Sequence, residues 1–271
     1  MAEMFVNVKQ AEQYASARPD YPKELFEFIA SKTPLHDLAW DIGTGSGQAA
    51  LSLAGIYNNV IATDSSLKQL QFAPKLPNIR YEQTPPAMSA AEIEERLTPE
   101  STVDLVTIAQ ALHWFDLPNL YDQLRWVLKK PNGVVAAWCY TLPRVNDSVD
   151  QVLDRFYGES GPYWDLARKL VEDEYRGIDF PFEPVDEGTN ETGPFRFVSE
   201  KVMNLEEFLT YLKSWSAYQT AKDKGVELLV DRVVEEFKRA WASDDGDGGS
   251  GNATKVVKYP LFLRIGKVKH M

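Results

Sequence analysis

The stretch Leu38-Ala39-Trp40-Asp41-Ile42-Gly43-Thr44-Gly45-Ser46-Gly47 runs a short apolar strand into a glycine-spaced turn, and the helix-forming segment 48–54 follows at once. At such a strand–turn–helix junction the helix N-terminus offers free N–H groups. The glycines tolerate left-handed backbone and let a ligand approach without a Cβ in the way. A nucleotide-like cofactor is therefore expected here. The dinucleotide pattern Gly-x-Gly-x-x-Gly is broken, because position 48 is Gln48. A phosphate loop ending in Gly-Lys-Ser/Thr is absent. Thr44 stands where a nucleophile elbow around Ser46 needs glycine. The spacing thus points to a cofactor that lacks a pyrophosphate but carries an adenosyl ribose. Asp64, ~20 residues past the loop, ends the next predicted strand (59–63), where a carboxylate accepts from two ribose hydroxyls. Asp41 adds negative charge that repels phosphate and suits an ammonium or sulfonium group.

Working outward, apolar periodicity alternates between strand and helix. A helix over 67–73 ends at Pro74, and 79–82 reads as a strand. Ser89 with Glu92 forms a capping-box pattern. The apolar run 103–109 suits a strand buried on both faces. Asp116 is placed to cap a helix over 117–129, and Pro131-Asn132-Gly133 turns into a strand over 134–138. Five such alternations predict a parallel sheet with helices on both faces. Upstream, 10–17 and a segment starting near Pro22 read as helices. Downstream, 148–176 reads as two helices with exposed aromatics (Phe156, Tyr157, Tyr163, Trp164), inserted over the sheet. A strand over 195–198, helices over 205–218 and 226–241, and a final strand over 256–265 at a sheet edge complete the chain. The whole is expected to be one domain, 1–271. Its parts are an N-terminal lid (1–35), a cofactor-binding core (36–140), a cap with the sixth strand (141–222), and a last unit (223–271) with a flexible loop at 243–252.

Composition narrows the partners. The net charge of −11, with basic residues scattered, argues against nucleic acid, whose binding draws on a basic stripe. No apolar run approaches the ~20 residues of a bilayer span. The N-terminus shows no apolar signal region, and the single Cys139 suits a reducing compartment, so a cytoplasmic protein is expected. Three histidines (His36, His113, His270) and one cysteine make no metal-ligand spacing. A monomer or homodimer acting on a small molecule, without nucleic-acid or membrane partners, is the expectation.

The run Asp41-Ile42-Gly43-Thr44-Gly45-Ser46-Gly47 resembles the first motif of class I S-adenosylmethionine-dependent methyltransferases, with Asp64 at their ribose-binding acidic position. Tyr14-x-x-x-Arg18-Pro19-x-Tyr21, the segment Gln110-Ala111-Leu112-His113-Trp114-Phe115-Asp116 and Leu212-Lys213-Ser214-Trp215-Ser216-Ala217-Tyr218 resemble the small-molecule methyltransferases related to trans-aconitate methyltransferase, which include plant embryo-abundant proteins. The resemblance implies an α/β, Rossmann-like fold with a seven-stranded, mostly parallel sheet, an antiparallel last strand, helices on both faces and a helical cap. It implies S-adenosyl-L-methionine as cofactor and S-adenosyl-L-homocysteine as product. The cofactor-binding residues it suggests, together with the loop reading, are Tyr14, Arg18, Tyr21, Asp41, Gly43, Thr44, Gly45, Gly47, Asp64, Ser65, Ala87, Met88 and Gln110. Near the adenine position, Gln83-Thr84-Pro85-Pro86-Ala87 departs from the family's usual Asp-Ala or Glu-Ala pair.

His113, Trp114, Trp138, Trp215 and Tyr218 form the candidate acceptor site. His113 is the candidate catalytic residue. It follows the fourth strand and is placed to take a proton from a hydroxyl or amine, to position a carboxylate, or simply to pack beside Trp114. A carboxylate acceptor is already ionised at pH 7 and needs no base. Arg18, with Tyr14 and Tyr21, suits a lid over the cofactor carboxylate. Trp215 and Tyr218, three apart on a predicted helix, are expected to share a face. The expected reaction is in-line methyl transfer to a small molecule, with a carboxylate oxygen as the leading acceptor. The alternatives are methylation of protein or RNA, a non-catalytic S-adenosylmethionine-binding regulator, and a nicotinamide-dependent dehydrogenase. Against the first, Gln110-Ala111-Leu112-His113 stands where many amide and adenine N-methylating enzymes carry Asn/Asp-Pro-Pro-Tyr.

Overall fold

The computed structural model describes residues 18–243 and 253–269. The predicted helix over 10–17 and the loop over 244–252 lie outside the described residues. Helix α1 (Lys23–Ser31) leads into β1 (Leu38–Ile42), α2 (Gln48–Ala54), β2 (Asn59–Asp64), α3 (Leu67–Gln71), β3 (Ile79–Gln83), α4 (Ala90–Arg96), β4 (Leu105–Ala109), α5 (Leu117–Val127) and β5 (Val134–Tyr140). This is the strand–helix alternation that the hydrophobic pattern predicts. The cap follows as α6 (Asp147–Ser160) and α7 (Arg168–Glu172). Then come β6 (Phe195–Met203), α8 (Leu205–Lys213), α9 (Ser216–Asp223), α10 (Asp231–Ala242) and β7 (Lys255–Lys267).

The seven strands lie in the order β3-β2-β1-β4-β5-β7-β6. All neighbours are parallel except the two pairs that β7 makes, so β7 alone runs antiparallel to the rest. The period-2 alternation of β5 divides the core between the two faces. Val134, Ala136 and Trp138 pack with α1, α2 and α6, while Val135, Ala137 and Cys139 pack with α5 and the 171–182 segment. Chain order reverses between β1 and β4, whose carboxyl ends therefore open the crevice where open α/β sheets bind ligands.

Five expectations are corrected. The last strand is not at an edge: β7 inserts between β5 and β6, and β6 takes the edge. Burial explains this, because Leu261–Ile265 is covered on both faces whereas β6 exposes Arg196, Val198, Glu200 and Val202 on one. The helix predicted over 205–218 is two, α8 and α9, broken at Ser214-Trp215, where Trp215 is extended (φ −65°, ψ 140°). The helix predicted from 226 starts only at Asp231, because Glu227 turns its carboxylate onto the Leu229 N–H and the Tyr218 hydroxyl. Among the cap aromatics, Phe156 is buried rather than exposed and stacks toward Trp215 and Phe237. The Ser89–Glu92 capping box forms as expected. Asp116 sits at the N-cap of α5, but its carboxylate accepts from the Asn119 amide instead of a helix N–H.

Candidate active site at the strand switch point

The loop between β1 and α2 is built on left-handed glycines. Gly43 has φ +68°, and a Cβ there would stand 2.8 Å from the Ala111 Cβ, so the β1 and β4 loops close on each other only over a hydrogen. Gly45, at φ +59°, would meet nothing within 4 Å, which is open space at the heart of the crevice. The loop is braced from below by Asp41, which is fully buried and accepts from Thr44 Oγ1 at 2.5 Å and Thr107 Oγ1 at 2.6 Å. Burial pushes its carboxyl up to about 6, although the hydroxyl donors pull the other way. Asp41 therefore faces threonine hydroxyls and lines neither of the two cavities described below, contrary to the expectation of a direct electrostatic partner for the cofactor.

Asp64 closes β2 and reaches back across the loop. Its Oδ2 accepts the Gly45 N–H at 2.9 Å and its Oδ1 accepts the Ser66 N–H at 2.8 Å. Burial raises its carboxyl, while these N–H donors favour the ionised form. Two cavities meet at this residue. The larger is lined by Arg18, Tyr21, Gly43, Thr44, Gly45, Asp64, Gln110, His113, Trp114 and Trp215 from among the predicted residues. The second, between Pro85, Met88, Phe115 and Leu120, shares Gly43, Asp64 and Trp114 with the first and adds Ser65.

Not all predicted residues arrive there. Trp138 is fully buried beneath Tyr21, with ring centroids 5.2 Å apart, and lines neither cavity. Tyr218 turns away and donates to the Glu227 carboxylate at 2.9 Å. The break between α8 and α9 is the cause, since it removes the shared helical face expected of Trp215 and Tyr218. Gly47 serves as the left-handed N-cap of α2, with Tyr81 Oη filling the space a Cβ would need. Ala87 is exposed and outside both cavities. Tyr14 lies outside the described residues.

Gln110 follows β4 at φ +54°, a strained value for a residue with a Cβ. Its side-chain amide pairs with the Tyr140 backbone, Oε1 accepting at 2.7 Å and Nε2 donating at 3.3 Å, which holds the β4–β5 mouth in register. Arg18 ties the N-terminal segment to the cap, donating to Tyr140 Oη at 2.6 Å and to the Ser214 carbonyl at 3.0 Å.

Several lining residues carried no readable signal. Gln69 is buried, and its Oε1 has no hydrogen-bond partner among the described residues. Tyr140, Tyr211 and Ser214 form the wall around Arg18. Arg168, on α7, places its guanidinium 4.7 Å from the Trp164 ring centroid and donates from Nε to Tyr157 Oη at 3.1 Å. No carboxylate pairs with it among the described residues. Asp165, which lines the same cavity, spends a carboxylate oxygen on the Ala167 N–H at 2.8 Å. Only Gln69 had a neighbouring clue, the Ser66 cap that starts its helix.

His113 follows β4 in a short 3-10 turn. Its ring lies 4.7 Å from that of Trp114, and Nδ1 is 2.8 Å from Tyr175 Oη. Burial lowers its pKa to about 3, with the nearby Arg168 charge acting in the same direction, so the imidazole is neutral at pH 7. A histidine with a folded pKa below its unfolded value binds fewer protons when folded. Its contribution to stability is complete above about pH 6.5 and falls on acidification by about 1.4 kcal/mol per pH unit. Asp41 acts in the opposite sense, its ionisation costing stability as pH rises toward 6. His113→Gln removes only the first slope. Between pH 7 and pH 5, urea unfolding should therefore shift in favour of the variant by about 2 kcal/mol relative to the native protein. An unchanged difference would mean that the imidazole is solvated.

Among the described residues, no helix is long and apolar enough to cross a membrane, and no cluster of three or more histidine, cysteine or acidic residues could hold a metal. A family model described as "Methyltransferase domain" matches residues 40–137, the span from β1 into β5 that holds the glycine loop, Asp64 and the whole lining of the second cavity. The chain is 32% identical over 262 residues to a Dictyostelium discoideum protein described as a methyltransferase, covering 95% of this chain and 92% of that one. It is 25% identical over 273 residues to a Saccharomyces cerevisiae protein described as an S-adenosylmethionine-dependent methyltransferase, covering 87% and 89%. Among solved structures, a type II methyltransferase from Anaeromyxobacter dehalogenans superposes with a TM-score of 0.76 at 32% identity, over 92% of this chain and 97% of that one. With a Rossmann-like sheet, a glycine loop and an acidic residue closing the second strand, this chain belongs to the class I methyltransferases and takes its methyl group from S-adenosylmethionine.

Proposed function

We propose that the protein methylates an anionic oxygen, a carboxylate in the leading case, of a small molecule held in the larger cavity. The observation that carries this reading is Arg168. Its guanidinium is stacked on Trp164 within the cavity wall and has no carboxylate partner among the described residues. A half-buried cation without a carboxylate partner gains from a ligand that supplies the missing oxygens.

The residues fit the cofactor. Asp64 stands at the junction of the cavities, where its remaining lone pairs are placed for ribose hydroxyls. Met88, Phe115 and Leu120 give the second cavity the apolar walls an adenine needs. The open space at Gly45 leaves room for the chain of the methionyl portion. When bound, S-adenosylmethionine supplies an electrophilic methyl carbon on a sulfonium centre. The protein's share is orientation and exclusion of water. Trp164, Trp215 and Tyr211 wall the cavity, Arg168 holds the acceptor's charge, and neutral His113 adds a polar contact. An ionised carboxylate needs no proton removed, so the site requires no base. The net charge of −11 supports a small molecule over nucleic acid as the acceptor.

The test is incubation with methyl-labelled cofactor and an extract of the source cells. Label is expected in the small-molecule fraction as a base-labile ester. Label in protein or RNA, or none at all, would overturn the proposal. Arg168→Leu should lower this transfer by about 100-fold, in line with about 3 kcal/mol for a lost charge-assisted pair, while affinity for S-adenosylhomocysteine changes by less than about threefold.

A further inference from the structure

Tyr175 belongs to no helix or strand, yet it is fully buried against the sheet. It and Glu174 both adopt left-handed backbone, at φ +60° and +59°, a conformation that two consecutive side-chain-bearing residues seldom share. Arg264, deep in β7, holds the turn. Its Nη1 donates to the carbonyls of Tyr175 at 2.8 Å and Ile178 at 3.2 Å, and its Nε and Nη2 donate to the carbonyl and hydroxyl of Thr192. The fold thus spends backbone strain and a buried guanidinium to place one phenol at the end of β4.

That phenol meets Nδ1 of His113 at 2.8 Å, and the backbone N–H of the same residue is directed at its oxygen, so Nδ1 is the one acceptor found for the phenol hydrogen among the described residues. The contact can form in two ways. If Nδ1 carried the proton and donated to Oη, the phenol's own hydrogen would be buried without an acceptor. Buried donors are almost always satisfied. The arrangement that leaves nothing orphaned has Tyr175 Oη–H donating to an unprotonated Nδ1, which puts the imidazole proton on Nε2.

We infer that Tyr175 is a positioning residue that locks His113 in its Nε2–H form, so that the histidine presents the cavity with a hydrogen-bond donor and not with a base. The consequence for the acceptor rests on the methyl-transfer reading above. With Arg168 on one side and an N–H on the other, the site selects acceptors that are rich in lone pairs and need no deprotonation, and it disfavours neutral amines and alcohols that must shed a proton.

The tautomer is measurable without turnover. The full chain labelled with nitrogen-15 histidine and saturated with S-adenosylhomocysteine has three histidines, and His113→Gln assigns the signal. Long-range proton–nitrogen correlation at pH 7 should show a protonated, pyrrole-type Nε2 and a bare, pyridine-type Nδ1 for His113. In Tyr175→Phe, which keeps the buried ring, the two nitrogens should move toward averaged values or exchange roles. A native spectrum with the proton on Nδ1, or a Tyr175→Phe spectrum identical to the native one, overturns the inference, and the native spectrum decides even if the variant fails to fold. In label transfer, His113→Gln keeps an N–H donor near the place of Nε2 and should recover at least about tenfold over His113→Leu, a factor worth one hydrogen bond. Equal losses would instead mark a base. Calorimetry with S-adenosylhomocysteine on the same samples separates the two readings, since absent binding would sink the methyl-transfer proposal and leave the tautomer result standing.

Discussion

Asp64→Ala is expected to weaken S-adenosylhomocysteine binding by at least about 100-fold in calorimetry, the largest loss from any single side chain of the cofactor site. The carboxylate does two things at once. It accepts the Gly45 and Ser66 N–H groups and so fixes the loop against the end of β2. It also lines both cavities, and in the proposed binding mode its remaining lone pairs accept from the ribose hydroxyls. Two charge-assisted hydrogen bonds at about 1.5 kcal/mol or more each supply the expected factor, before any loosening of the loop is counted. Asp64→Asn keeps the shape and one acceptor oxygen, so it should lose less than the alanine variant. Binding within about threefold of native for Asp64→Ala would place the ribose elsewhere and remove the basis for reading the cavities as one cofactor site.

Arg264→Leu is expected to cost about 3–5 kcal/mol in urea unfolding, one of the larger losses open to a single substitution outside the cofactor site. Arg264 is 7% exposed and meets no carboxylate at ion-pair distance among the described residues. Its four hydrogen bonds go to neutral groups, and Phe180 covers it at 4.9 Å. Burial lowers its pKa from the usual value. Leucine would relieve the buried charge but orphan the Ile178 carbonyl and the Thr192 hydroxyl and strip one of two donors from the Tyr175 and Thr192 carbonyls, and the segment 175–192 would keep only its backbone ties to β7. The effect should also reach the active site, because the same tie seats Tyr175 under His113. A loss below about 1 kcal/mol would show that water replaces the guanidinium and that the segment holds itself in place.

Much of this site was legible in the chain before folding. Asp41, the three glycines, Asp64 and the strand–helix rhythm from 38 to 140 sit where local pattern places them, because each depends on neighbours a few residues away. Even here the role of Asp41 needed the structure. Its carboxylate turns to Thr44 and Thr107, and the second of these is distant in sequence and arrives only when β4 pairs with β1. In the second half of the chain, long-range packing overrides local pattern. The single helix drawn over 205–218 ignored that Trp215 packs into a cluster with Phe156, Tyr157 and Trp164, which bends the chain more strongly than helical propensity keeps it straight.

The amino-acid sequence by itself determined the cofactor. A ligand that must touch backbone leaves its mark in glycine spacing, and a ribose leaves its mark in one carboxylate at the end of the next strand. Only the tertiary structure decided which side chains gather at and behind His113. Arg168, Tyr175 and Arg264 come from a cap segment and a late strand that share no spacing with His113, and β7 sits inside the sheet because two-sided burial of Leu261–Ile265 outweighs its late arrival in the chain. A cofactor pocket is written locally because backbone holds the cofactor. An acceptor pocket is lined by side chains from distant segments, and no local rule records which of them packing brings together.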